Sequence, residues 1–116
     1  VRWPKALSSL VLMHNQISQI SERTFALARN LSKLYLSHNN IAYIDPNAFK
    51  HLQYLSTLQI EFNRLSSFAP TLIENKTSLT IIHLSENQLD LDPEIRFSRA
   101  PNVKEIHLDQ NRITAI

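Results

Sequence analysis

The chain has 116 residues, 43% apolar and 19% charged, with a formal charge of +2, which suits one ordinary domain and is too balanced for a disordered polyelectrolyte or a basic nucleic-acid arm. No apolar run approaches the ~18 residues that cross a bilayer, and the absence of cysteine removes disulfides, cysteine-zinc sites and thiol catalysis together. Glycine is absent too, where average usage gives about eight, which excludes phosphate loops, dinucleotide fingerprints and nucleophile elbows.

Taken in chain order, Val1 to Ala6 precede a frame of Leu7, Leu10, Leu12, Asn15, Ile17 and Ile20. The same frame returns 24 residues later as Leu31, Leu34, Leu36, Asn39, Ile41 and Ile44. It recurs around Leu55, Leu58, Ile60, Asn63, Leu65 and Phe68, around Leu79, Ile82, Leu84, Asn87 and Leu89, and finally around Val103, Ile106, Leu108, Asn111, Ile113 and Ile116. Only Asp92 breaks the apolar columns. Each copy alternates apolar residues at period two near its fourth and sixth positions, which predicts a short strand with one buried face, and successive strands then pair in parallel. The turn after each strand leaves backbone groups inside the coil, where an unpaired one costs about 1 to 3 kcal/mol. Asn15, Asn39, Asn63, Asn87 and Asn111 offer a donor and an acceptor on a short stem, and are predicted to form a structural ladder.

The return segments read as short helical turns. Phe25, Phe49 and Phe97 recur there, with Ile73 standing in once. Asp45-Pro46 and Asp92-Pro93-Glu94 place an acidic cap before a proline at the first helical position. Asp92 is expected to leave its apolar column in order to cap, with Leu91 supplying the apolar contact. The third return, Ala69 to Ser78, lacks the phenylalanine and puts Lys76 where Leu52 sits in the second, so it is expected to be the loosest.

The pattern LxxLxLxxNxLxxL resembles the leucine-rich repeat, and its convex phenylalanine matches the 24-residue extracellular subtype, as in ectodomain segments of Toll-like receptors and chaoptin-type adhesion proteins. The resemblance implies an α/β solenoid: a right-handed superhelix, or horseshoe arc, with a parallel concave β-sheet and short convex helical or 3-10 turns. It divides the chain into a tail of a preceding repeat (1–6), repeats over 7–30, 31–54, 55–78 and 79–102, and a partial repeat over 103–116. That makes about 4.8 repeats, an uncapped fragment of a longer array. It further implies an extracellular or cell-surface receptor or adhesion protein that binds a protein ligand or co-receptor, with room for a homo- or heterodimer through the parent ectodomain. An intracellular scaffold and a structural spacer are the alternatives.

The second, third, fifth, seventh and eighth repeat positions face outward from the strands, forming a ribbon about 20 Å wide. Its central column is Val11, Tyr35, Gln59, His83 and His107. Beside it run Met13, Ser37, Glu61, Ser85 and Asp109, then His14, His38, Phe62, Glu86 and Gln110. Met13, Tyr35 and Phe62 are the anchor candidates, because aromatic and adaptable apolar side chains dominate interface energies. Glu61, Glu86, Glu105 and Asp109 stand against Lys33 and Lys104, giving the ribbon about −2. The expected partner therefore carries an apolar patch beside a basic one and is not a nucleic acid. His14 with His38, and His83 with His107, fall in two stacked pairs. A metal would need a third preorganised ligand, so none is expected; paired histidines fit a pH response better. No nucleophile, base and oxyanion pocket converge, so no catalytic residue and no cofactor is assigned. The sequons Asn30-Leu31-Ser32 and Asn75-Lys76-Thr77 are glycosylation candidates on loops.

Overall fold

The structure, a computed structural model, describes residues 2–90 and 97–114. The cap expected of Asp92-Pro93-Glu94, the compensating Leu91 and the last apolar position, Ile116, lie outside the described residues. Five three-residue strands, β1 (Ser9–Val11), β3 (Lys33–Tyr35), β5 (Thr57–Gln59), β6 (Ile81–His83) and β7 (Glu105–His107), form one parallel sheet in that order. Every pairing joins residues one repeat apart, so Leu10, Leu34, Leu58, Ile82 and Ile106 stand in one row. That row faces inward, and its first four members are buried. A slip of one residue would turn the whole row to water, which is why alternation fixes the register. The chain is a parallel-strand solenoid of about four turns. Its second flank carries a two-stranded parallel sheet of β2 (Gln19–Ile20) and β4 (Tyr43–Ile44).

The asparagines close each turn from inside. The Asn63 side-chain amide donates to the carbonyls of Leu36, one coil back, and Ile60, in its own coil, both at 3.0 Å, while its Oδ1 accepts the Ile41 N–H at 2.9 Å. Asn87 repeats this with Ile60 and Leu84 as acceptors and the Leu65 N–H as donor. Asn39 and Asn111 make the same three bonds. Asn15, in the first coil, is exposed: its amide reaches Leu12 of its own coil, and its backbone N–H donates to Asn39 Oδ1.

On the convex side Phe25 and Phe49 are fully buried, with ring centres 6.2 Å apart. Ile73 continues their column. Phe68, from the flank column that holds Ile20 and Ile44, reaches Phe97 at 6.5 Å and bridges the missing aromatic. The Asp45 carboxylate accepts the Asn47 N–H at 2.8 Å, with Pro46 between them, but the segment is a turn and not a helix. Among the described residues the one regular helix is a 3-10 turn over Pro70–Leu72. The third return is thus not loose. Leu72 and Ile73 are buried, and Lys76 takes the column of Ala28, Leu52 and Ala100 at only 4% exposure. Its hydrocarbon stem packs as an apolar side chain would.

Candidate recognition surface

Strand register carries Val11, Tyr35, Gln59, His83 and His107 into one outward row. Val11 is 57% exposed, whereas Tyr35, Gln59, His83 and His107 are half-buried. Two residues beyond each row member lies a column with a different character. Ser37 there lies on the outward face but is covered, at 2% exposure, with its hydroxyl donating to the Glu61 carboxylate of the next coil. Ser85 donates to Asp109 in the same way. Glu61 and Asp109 therefore each hold a serine from the preceding coil, while Met13, the first of the column, is 37% exposed.

The third column adopts a backbone that the composition alone did not suggest. His14, His38, Phe62, Glu86 and Gln110 have φ between 56° and 60°, the left-handed region. Glycine would enter it freely, but an L-residue costs roughly 1 to 2 kcal/mol there. Four of these residues are held by an N–H donated to a carbonyl of the next coil: His14 to Ser37, His38 to Glu61, Phe62 to Ser85 and Glu86 to Asp109, at 2.9 to 3.2 Å. With the same backbone and a spacing of one strand, the side chains stack. The His14 and His38 ring centres are 4.5 Å apart, and those of His38 and Phe62 4.4 Å, with planes within 14°. Both distances lie close to the ~4.8 Å separation of neighbouring strands. Phe62, 46% exposed, ends this ladder of rings.

At the other end of the ribbon His83 and His107 stack at 4.3 Å from within β6 and β7. His83 Nδ1 stands 3.6 Å from Glu61, and His107 Nε2 3.4 Å from Glu105. The Ser85 hydroxyl bond, the backbone of Asp109 itself and the charge of His107 hold the Asp109 carboxyl below the usual aspartate range. Among the described residues no three His, Cys, Asp or Glu side chains converge on one metal position. Glu86 and Asp109 are exposed, Glu61 half-buried.

Sequence reasoning missed two interstrand chains of contacts. Ser32, Ser56 and Thr80, treated as free outward positions, donate their hydroxyls to the carbonyls of Ser8, Ser32 and Ser56 respectively, at 2.9 to 3.2 Å. The serine-acid pairing was also unforeseen. A hydroxyl recurring every 24 residues, and serine alternating with acid down one column, were the available signals. Of the sequons, Asn30 is exposed and its amide donates to the Lys5 carbonyl at 2.8 Å. Asn75 is exposed with φ 60°.

The family model of the leucine rich repeat matches residues 5–65 and again 53–113. Comparison with curated proteins gives no match. Among solved structures, the APL1 leucine-rich repeat domain is similar with a TM-score of 0.89 and 30% identity, over 97% of this chain and 30% of that one. Toll from the Toll–Spatzle complex of Drosophila development and innate immunity gives 0.85 and 26%, over 92% and 16%. The TLR13–ssRNA13 complex gives 0.81 and 28%, over 90% and 15%. The chain spans less than a third of the length of each of these structures.

Proposed function

Since this chain belongs to the leucine-rich-repeat family, a protein-interaction fold, we propose that its ribbon recognises a protein ligand or co-receptor as part of an extracellular receptor or cell-adhesion protein. The observation that carries this reading is the contrast along the ribbon. Val11 and Met13 at one end and Phe62 at the middle strand are exposed apolar groups, and Glu86, Glu105 and Asp109 are exposed acids at the other end. Large apolar side chains held on a rigid sheet lose little entropy on binding and supply most of the energy of an interface. The acidic end steers a basic partner and sets its orientation. Nucleic acid is disfavoured by the same charge, although TLR13, one structural neighbour, is seen with RNA. Chemistry at the ribbon is limited to binding, because an open sheet face does not exclude water from a reacting group. Glycans on Asn30 and Asn75 would leave this face clear, since both lie on loops away from the strands. The His83–His107 pair beside Glu61, Glu105 and Asp109 gives the acidic end a charge that falls in magnitude as the imidazoles protonate.

The test is a binding screen of the tetramerised chain against a panel of cell-surface and secreted protein ectodomains. It compares Met13→Glu/Phe62→Glu with Tyr54→Glu, an exposed residue away from the ribbon. A partner that is lost with the first variant and kept with the second supports the reading. Partners indifferent to the double substitution would make these coils a spacer. Intact mass before and after N-glycosidase treatment checks the glycans, and equal affinity at about pH 5.5 and about pH 7.5 would remove the role of the histidine pair.

A further inference from the structure

Lys76 stands in a column otherwise made of Ala28, Leu52 and Ala100, all buried, and is itself 4% exposed. An ammonium in such a place normally finds a carboxylate, because burying a charge without one is costly. Lys76 has no such partner among the described residues. The nearest acid in sequence, Glu74, gives its carboxylate to Arg99 at 3.1 Å. Burial alone pushes the Lys76 ammonium below the ordinary lysine range.

Lys76 is among the residues that line two adjoining cavities, of about 480 and 210 Å³. The larger is also lined by a second cation, Lys50, and by the donor-bearing residues Gln53, Tyr54, Thr77 and Ser78. Glu74, already neutralised by Arg99, is the one acid in that wall. A cavity rich in donors, with two ammonium groups and no free carboxylate, is complementary to a small dianion.

We propose that Lys76 and Lys50 form a binding site for a tetrahedral oxyanion, of the sulfate or phosphate class, on the convex side of the third coil. Lys76 supplies the buried charge and Lys50 the exposed one, with the hydroxyls of Tyr54, Thr77 and Ser78 and the amide of Gln53 available to the remaining oxygens. A tetrahedral anion with charge on several oxygens can bridge two lysines; chloride has no directional acceptors with which to do so. The site is remote from the ribbon and does not depend on its function.

The experiment follows the Lys76 Cε signal by NMR in the full chain labelled with 13C-lysine, titrated with pH in sodium sulfate, in sodium phosphate and in sodium chloride at equal ionic strength. Sulfate or phosphate is expected to raise the Lys76 titration midpoint by roughly one pH unit over chloride, about tenfold in proton affinity, saturably and without moving exposed Lys5. A Lys76 midpoint that moves no more than that of Lys5, or that never saturates, overturns the site. Lys76→Met keeps the stem and removes the charge. Sulfate exclusion raises the thermal midpoint of any protein, so only gain beyond that of the variant counts; equal gains in Lys76→Met and wild type overturn the proposal. Lys50→Met is expected to weaken the anion effect several-fold. A sulfated hexose used in place of inorganic sulfate distinguishes the two sources: an equal response assigns the site to the anion itself, and a stronger one to its ester.

Discussion

The two faces of the five-stranded sheet are built from the same fifteen strand residues, yet they obey different rules. Inward, the second, third and fourth coils repeat one solution: a buried aliphatic in the strand, a second one two residues on, then an asparagine that donates to two coils and accepts from one. Outward, no single solution runs through all the coils, and side chains pair with neighbours one repeat away. The inward face must satisfy its own backbone in a space without water, and few side chains can do that. The outward face is free of that demand. Its left-handed column accepts His, Phe and Glu alike, because the hydrogen bonds of the next coil hold the backbone whatever the side chain.

Several substitutions break or sharpen this contrast. Phe49→Ala, deep in the convex core, should lower stability by about 3 to 5 kcal/mol in urea denaturation, and half-buried Phe97 by less. Asn63→Ala orphans the Ile41 N–H and takes one of two asparagine donors from each of the carbonyls of Leu36 and Ile60, so a loss of about 1 to 3 kcal/mol is expected, with collapse of amide-exchange protection at Ile41. Asn15→Ala, at an exposed rung, should lose under about 1 kcal/mol. Equal losses at Asn15 and Asn63 would show that the ladder is not what distinguishes the interior.

Outward changes should act differently. Glu86→Gly relieves a left-handed residue and should add up to about 1 kcal/mol, less what the unfolded chain gains in freedom. Phe62→Glu should move stability by no more than about 0.5 kcal/mol while abolishing the partner contact. The smallest effect is at Asp109, whose carboxyl is held low first by the Ser85 hydroxyl. A depressed aspartate pKa adds stability above the ordinary carboxylate range, and that stability fades as pH falls through the lowered value. Ser85→Ala should therefore bring the Asp109 titration back toward the ordinary value, read by carboxyl 13C NMR, and weaken the protein slightly above the ordinary carboxylate range while leaving stability below the lowered value unchanged. For Lys76 the slope has the same sign but the shift is a cost: the unfolded chain binds the proton more tightly, so stability is reduced below the lowered value and is recovered as pH climbs from there to the ordinary one. Lys76→Met should flatten that rise.

Much of the fold could be read from residue spacing. The interval from Asn15 to Asn111, with leucine and isoleucine in fixed frame, implies parallel strands one repeat apart, and the sheet pairs Leu10 with Leu34 and onward in that register. The return segments were less legible. Asp45-Pro46 reads as a helix start and makes only a turn, because the bonds that close it end within a few residues. Ala69 to Ser78 reads as loose and is packed, because Phe68 arrives from another column and the Lys76 stem behaves as an aliphatic. Neither fact is visible from one repeat in isolation.

What the sequence determined by itself is the inward pattern, since period two within a strand and period 24 between coils are properties of the chain alone. What the tertiary structure decided is everything that joins side chains across that longer interval. It stacks His14, His38 and Phe62, buries Ser37 beneath Glu61, and leaves Lys76 without a counter-charge beside a cavity. Those contacts depend on the strand separation and on the backbone angle at each outward position, and both are fixed only when one coil lies against the next.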